Sequence, residues 1–369
     1  MLARMRRRAG RLVWRAALGP VSGSVPRKYV RSLIEQAGTK PTMDHIESIE
    51  LLAPAHVEQY RFDVRLPPEF RRSKAFDDRY VYRLRDVCVS PRTGLCWLPS
   101  GAILEESYGG LIRLLGWGDT ALDEPLLGTR QALEGPVVLL PGDGYFHWLL
   151  EALPAALHAL GRVPDATLLL PRKAPLYLDE ALSILGIEKI HRSDEPLRVE
   201  ELVLVARDPF SWFVPREDVE ILRRAFLSRT ARGTEKALYV SRRLNRRRPS
   251  NEADVERALE RIGFRVITAE GLSLAKQIEL FAGSSVIAGS HGAGLANAVL
   301  SDASILAEIF VANSFNDCYA RLSVSLGAIY RPFHCSIRPA PWGTAPVEEI
   351  VATLEETILG LETTGGREL

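Results

Sequence analysis

Hydrophobic and polar positions divide the chain into two textures. Residues 46–52, 80–84 and 87–89 are short runs of alternating or clustered apolar side chains, the pattern of strands. Ser90-Pro91-Arg92-Thr93-Gly94 reads as a turn, with residues 95–98 returning as the second arm of a hairpin. From about residue 135 the pattern changes. Apolar strands at 136–140, 166–170 and 202–206 alternate with helical patterns at 145–160, 175–185 and 219–227. In the first of these helices Trp148, Leu149, Leu153, Ala156, Leu157 and Leu160 keep a helical spacing. A polar break follows at 228–234, and then the alternation restarts. Strands are predicted at 237–240, 264–267, 285–288 and 304–309, helices at 252–261 and 274–282. A glycine turn and a further helix separate the last two strands, and a closing helix covers 346–359.

Continuous apolar strands alternating with amphipathic helices predict an α/β protein whose parallel sheets are covered on both faces. Two Rossmann-like domains facing a cleft are expected, preceded by a β-rich segment. The expected boundaries are 1–44 for an N-terminal arm, 45–233 and 234–345 for the domains, and 346–369 for the closing helix and tail.

Composition narrows the function classes. With 369 residues, 46% hydrophobic and 25% charged, the chain is neither disordered, collagenous nor coiled coil. No run reaches the ~18 consecutive apolar residues of a spanning helix. Lys and Arg number 47 against 46 Asp and Glu, which argues against a surface adapted as a whole to nucleic acid. Four cysteines without a CxxC pair are too few for a disulfide scaffold and read as buried thiols in a reducing compartment. The arm is basic, with Arg4, Arg6, Arg7, Arg8, Arg11 and Arg15 around Trp14 and no acid before Glu35. A disordered basic tail is the plainer reading, and contact with an anionic membrane surface the sharper one.

Three segments carry candidate chemistry, each at the carboxyl end of a predicted strand, where ligands of open α/β sheets bind. In Gly289-Ser290-His291-Gly292-Ala293-Gly294 the glycines let backbone approach a phosphate, and the following helix N-terminus favours an anion. His291 could donate to a phosphate oxygen; a tight turn with a capping His is the competing reading. Next, Arg242 and Arg243 follow strand 237–240, and guanidinium groups bind phosphate in bidentate fashion. Arg246, Arg247 and Arg248 read as a solvated loop, and the absence of interleaved aromatics argues against nucleic acid. Third, Gly142-Asp143-Gly144-Tyr145-Phe146-His147 opens a helix on which His147 and Glu151 are spaced i, i+4. That pair suits a general base and its orienting partner, or simply fixes the helix. HxxxE also occurs in metal sites, but no third ligand has suitable spacing, so no metal is expected. Glu308, at the end of a buried strand, must be hydrogen-bonded or at a rim, and a ribose is an attractive partner. Glu270 lies in the turn after strand 264–267 and could reach the same rim.

The blocks His147-Trp148-Leu149-Leu150-Glu151-Ala152-Leu153-Pro154, Tyr239-Val240-Ser241-Arg242, Gly263-Phe264, Ser273…Gln277…Leu280-Phe281 and Gly289-Ser290-His291-Gly292-Ala293-Gly294-Leu295, with Glu308, resemble glycosyltransferase family 61. The likeness spans about residues 80 to 330 in the family's order. The family includes bacterial capsular-polysaccharide proteins and eukaryotic xylosyl-, arabinosyl- and N-acetylglucosaminyltransferases.

The resemblance implies a GT-B fold, a nucleotide-sugar donor (UDP-linked in our expectation) held mainly by the second domain, and inverting transfer without an essential metal. No separate cofactor is expected. By motif, Arg242 and the turn from Ser290 through His291, Gly292, Ala293 and Gly294 would hold the donor diphosphate, and Glu308 the ribose. His147, Glu151 or Asp143 would be the base on the acceptor side. The acceptor would be a glycan or glycolipid. The eukaryotic members carry a membrane anchor that this sequence does not show, so a bacterial cytoplasmic enzyme, peripheral at the inner membrane face, is expected. A non-catalytic sugar-nucleotide or polysaccharide-binding protein, or an epimerase or hydrolase on the same architecture, is the alternative.

Overall fold

The computed structural model describes residues 30–31, 45–59, 62, 73–107, 131–141, 144–206, 214–311, 316–336 and 342–363. Nearly all of the basic arm therefore lies outside the described residues. The chain divides into two units. One comprises Met1–His56, Ala75–Leu178 and Ile187–Trp212; the other comprises Val57–Lys74, Asp179–Gly186 and Phe213–Leu369.

In chain order the strands up to residue 205 are β1 (Val30–Arg31), β2 (Ile46–Ala53), β3 (His56–Gln59), β4 (Ser73–Phe76), β5 (Arg79–Val89), β6 (Cys96–Trp97), β7 (Ile103–Leu104), β8 (Gln131–Leu139), β9 (Thr167–Leu170), β10 (Ile190–Arg192) and β11 (Leu197–Val205). Strands β3 and β4 pair with each other. The rest form a nine-stranded sheet in the order β1-β7-β6-β5-β11-β8-β9-β10, with β2 on β5. From β11 to β10 the sheet is parallel, but β5 runs antiparallel to β11 along its length. The β-rich segment is thus half of the first unit's sheet, and that sheet is mixed rather than parallel.

The two short strands expected at 80–84 and 87–89 are one strand. Asp86 adopts φ 56° between them, a left-handed conformation that Asp tolerates better than most residues. The Arg198 guanidinium on β11 holds both carboxylate oxygens of Asp86 and draws that carboxyl below its usual range. Leu84, Val87, Val89, Val137, Leu169, Leu197, Val199 and Leu202 form the core of this unit. Each is worth about 1.5–3 kcal/mol when fully withdrawn from water.

Helix α1 covers residues 145–162, but its second turn is wide. Residues Trp148–Ala152 are π-helical, with the Leu153 N–H donating to the Trp148 carbonyl five residues back. The cause lies in the sequence. Pro154 has no N–H for the Leu150 carbonyl, and in a regular helix its ring would collide with that carbonyl. Widening the turn just ahead of Pro154 relieves the collision, after which α-helix resumes over Leu153–Arg162. Helix α2 (Leu176–Leu185) supplies Glu180, whose Oε2 accepts from the Leu274 N–H at 2.6 Å.

The second unit continues with α3 (Arg216–Leu227), β12 (Ala237–Val240), α4 (Glu252–Arg261), β13 (Arg265–Ile267), α5 (Leu274–Gly283), β14 (Val286–Ser290), a 3-10 helix (Ala293–Leu300), β15 (Ile305–Phe310), α6 (Cys318–Leu326), β16 (Ile329–His334) and α7 (Val347–Thr363). All five strands are parallel, in the order β13-β12-β14-β15-β16. Tyr239, Ala288, Ile305, Ala307 and Ile309 pack with Val255 and Leu259 of α4 and Ile350 and Leu354 of α7. Counted in chain order the strands run 2-1-3-4-5. The chain leaves β12 toward one edge and β14 toward the other, so the topological switch point lies between these two strands.

Candidate functional site

At that switch point the loops after β12 and β14 meet. Arg242 is the second residue beyond β12, and its Nη1 donates to the His291 carbonyl beyond β14. The guanidinium lies flat on Gly292. A Cβ built there would sit 2.5 Å from Nη1 and 2.8 Å from Cζ. Gly292 has φ 172°, ordinary extended backbone, so glycine is required there for space and not for conformation. Two further glycines keep the crevice tight. A Cβ on Gly289 would come within 3.0 Å of the Val240 carbonyl oxygen, and one on Gly294 within 3.0 Å of Val240 Cγ1. Burial, and then the nearby Arg247, lower the Arg242 pKa. The Arg242 cation is therefore half-buried in a crevice beside the start of the 3-10 helix, whose leading N–H groups have no intrahelical partners. This arrangement favours an anion. Ala293 is exposed beside it, Gly294 is half-buried, and Ser290 is buried at the end of β14.

The loop carrying Arg242 is anchored from below. The Arg242 N–H and the Tyr239 hydroxyl both donate to Glu252 Oε1, at 2.8 and 3.1 Å. Glu252 is the first residue of α4, where the helix dipole favours a carboxylate by about 0.3–1 kcal/mol. It is only 3% exposed, however, and burial prevails over its hydrogen bonds and raises its pKa. An acid whose pKa is raised by folding holds its proton more tightly in the native state. Stability should therefore fall as pH rises from 4.5 through the raised native value. Glu252→Gln keeps an acceptor for Arg242 and Tyr239 but cannot ionise. In urea unfolding from pH 4.5 to 8, the variant is expected to gain on the natural protein as pH rises, then level off. Parallel profiles would contradict this account.

The other basic residues are placed differently. Arg243 is half-exposed and turns to Glu256 on α4, with Nη1 3.5 Å from Oε2. Arg248 Nη1 donates to the Arg243 and Asn245 carbonyls and closes the loop, while Arg246 and Arg247 are exposed. Glu270 is exposed and accepts from Asn245 Nδ2 on the same loop.

His291 and Glu308 are brought together. His291 Nδ1 is hydrogen-bonded to Glu308 Oε1, and the Tyr330 hydroxyl donates to Glu308 Oε2. Glu308 has 0% of its surface exposed, and both of its oxygens face protein groups rather than a rim. Burial and the Glu308 charge push the Tyr330 phenol well above its ordinary range, which keeps it a donor. The His291 ring stacks on Phe310 and meets Tyr319 edge-on, each at 5.6 Å. Tyr319 in turn donates to the Gly292 carbonyl at 2.6 Å. Tyr330 and Tyr319 were invisible to motif reading. Register supplies the missing signal: Leu306 pairs with Tyr330, so Glu308, two residues on, shares the face from which Tyr330 projects.

In the first unit, His147 and Glu151 meet as their spacing predicts, with Nδ1 and Oε1 2.9 Å apart. The imidazole is 34% exposed and the carboxylate 9%. The wide turn of α1 contains Glu151 and the fully buried Trp148, whose ring centre lies 4.7 Å from that of Tyr177. Asp143 lies outside the described residues. Among the described residues no cluster of three or more His, Cys, Asp or Glu is positioned to hold a metal ion, and no helix is long and apolar enough to cross a membrane.

Compared with known families, residues 145–305 match the model of the family described as Glycosyltransferase 61. No curated protein matches the chain. The matched stretch holds His147, Glu151, Arg242, Arg243, Glu270 and the turn from Ser290 to Gly294, and it ends three residues short of Glu308. The match supports the likeness to family 61 and, in general terms, glycosyltransferase activity.

Proposed function

On the premise of a family 61 glycosyltransferase, we propose that this chain moves a sugar from a nucleotide-sugar donor to a glycan or glycolipid acceptor with inversion at the anomeric carbon. The setting would be surface-polysaccharide synthesis at the inner face of the membrane. In a GT-B division of labour, the second unit binds the donor and the first serves the acceptor. The observation behind this reading is the Arg242 guanidinium seated on Gly292 at the switch point. A diphosphate placed there meets Arg242 and the first N–H groups of the 3-10 helix.

In the reaction the acceptor hydroxyl attacks the anomeric carbon in line. Its proton passes to a base, for which we favour His147 held by Glu151. Negative charge growing on the departing diphosphate is met by Arg242 and the backbone donors. Glu308, with both oxygens already engaged, acts through His291 rather than on a ribose.

The test is a thermal-shift panel with UDP, GDP, CMP, TDP and ADP, with and without EDTA. A nucleotide at a hundred times its dissociation constant stabilises by about 2.7 kcal/mol. One nucleotide is expected to shift the midpoint, with no effect of EDTA, and Arg242→Ala is expected to abolish the shift. A panel without any shift would overturn the donor reading.

A further inference from the structure

Glu308 is a carboxylate wholly withdrawn from water that receives hydrogen bonds from two side chains. A buried carboxylate costs several kcal/mol unless its charge is met. Tyr330 supplies a hydrogen bond but no charge. The remaining partner is His291, whose ring keeps 19% of its surface exposed. Because the carboxylate accepts, Nδ1 must carry the hydrogen in that contact, so the tautomer is fixed by Glu308. Phe310 on one face and Tyr319 at the edge limit rotation of the ring. Nε2 takes no hydrogen bond from any described residue. The same residue's carbonyl is the acceptor of Arg242 Nη1, so His291 belongs to the anion crevice.

We propose that Tyr330 and Glu308 are positioning residues that hold His291 with its Nδ1–H on Glu308, so that with the donor bound an Nε2–H meets the phosphate oxygen released in glycosyl transfer. The inference rests on the donor reading above. As the bond from the anomeric carbon to the phosphate oxygen breaks, its electron pair stays on that oxygen and is met by the Nε2–H hydrogen bond. The acceptor oxygen forms the new bond to carbon and loses its proton to the base. His291 keeps both its protons throughout, and the imidazolium and Glu308 are neutral as a pair. Such a donor, held in place before charge develops, requires no rearrangement at the moment of bond breaking.

The test reads the imidazole directly. The full chain is labelled with 15N-histidine, and His291→Asn identifies the His291 signals among those of the seven histidines. The natural protein is expected to show a protonated Nδ1 at His291, and inorganic pyrophosphate is expected to move its Nε2 into the protonated range. Glu308→Gln should release the tautomer and weaken pyrophosphate binding about tenfold, equivalent to about 1.4 kcal/mol. Tyr330→Phe, which removes one hydroxyl and keeps the ring, should weaken binding less and broaden the His291 signals.

An unprotonated Nδ1 in the free protein would overturn the inference, as would a Glu308→Gln spectrum identical to that of the natural protein. A protonated Nδ1 together with complete indifference to pyrophosphate would strike at the nucleotide-sugar reading itself, and the role of Nε2 would fall with it. Pyrophosphate binding with the wrong tautomer would strike at this inference alone.

Discussion

Gly292→Ala should yield a protein that folds as well as the natural one and binds its nucleotide about 10–100-fold more weakly. The extended backbone at 292 accepts alanine without strain, so little stability is lost. What the new methyl meets is the far end of a flexible side chain, the Arg242 guanidinium at 2.5–2.8 Å. The guanidinium must lift off, losing its bond to the His291 carbonyl and its aim at the crevice. Charge-assisted hydrogen bonds of this kind contribute about 1.5–3 kcal/mol, which sets the expected loss of affinity. Calorimetric titration and urea unfolding, run side by side, separate the two effects. The mechanism also demands non-additivity. Once Arg242 is alanine, Gly292→Ala should cost no further affinity, because both changes remove the same contact. Additive losses would mean that Gly292 serves the ligand through its own backbone.

His147→Ala is expected to lower turnover by about 10²–10⁴-fold while leaving donor affinity nearly intact. The imidazole is the exposed partner of the pair, and Glu151, at 9% exposure, is the partner that orients it. In the proposed reading the donor is held at strand ends in the other unit, so the deletion should show in the chemical step alone. The kinetic signature is a fall in kcat with KM for the donor unchanged. Full activity in His147→Ala would remove it as the base and direct attention to Asp143.

Much of the second unit is legible in its sequence, because each element there carries its own signal. Strand β12 and helix α4 lie where the pattern predicts them, a short apolar run ending at Ser241-Arg242 and an amphipathic stretch beginning after Asn251. Helix α6 and strand β16 escaped the pattern for physical reasons. In α6 the buried face includes Arg321, paired with Asp317 at 2.7 Å, and Ser323, which blur the apolar period. Strand β16 contains Pro332, tolerated because β16 is an edge strand that among the described residues pairs with β15 alone. The helix expected after the glycine turn is present and is of the 3-10 type, with its residues from Leu295 to Leu300 all buried.

The candidate site divides in the same way. Arg242, Gly292 and the His147–Glu151 pair could be read locally, since glycines at strand ends and i, i+4 spacing are local signals. Tyr330 and Tyr319 could not, because their contacts with Glu308 and Gly292 depend on strand order. The wide turn of α1 was equally silent. The apolar spacing from Trp148 to Leu160 satisfies a regular helix, and Pro154 alone hints otherwise.

The place of β11 in the first sheet has a practical consequence. Its neighbours are β5 and β8, from residues 79–89 and 131–139, and both precede the segment that matches the family model. Excised at 145–305, that segment would keep β11 and lose the strands on both sides of it. It would also cut β15 at its first residue and discard β16. Nine residues of bare backbone donors and acceptors would then face water, a template for pairing with other copies and for precipitation. The stretch that carries the family's signature is shorter than the stretch that can fold, and a soluble fragment would have to begin before Arg79.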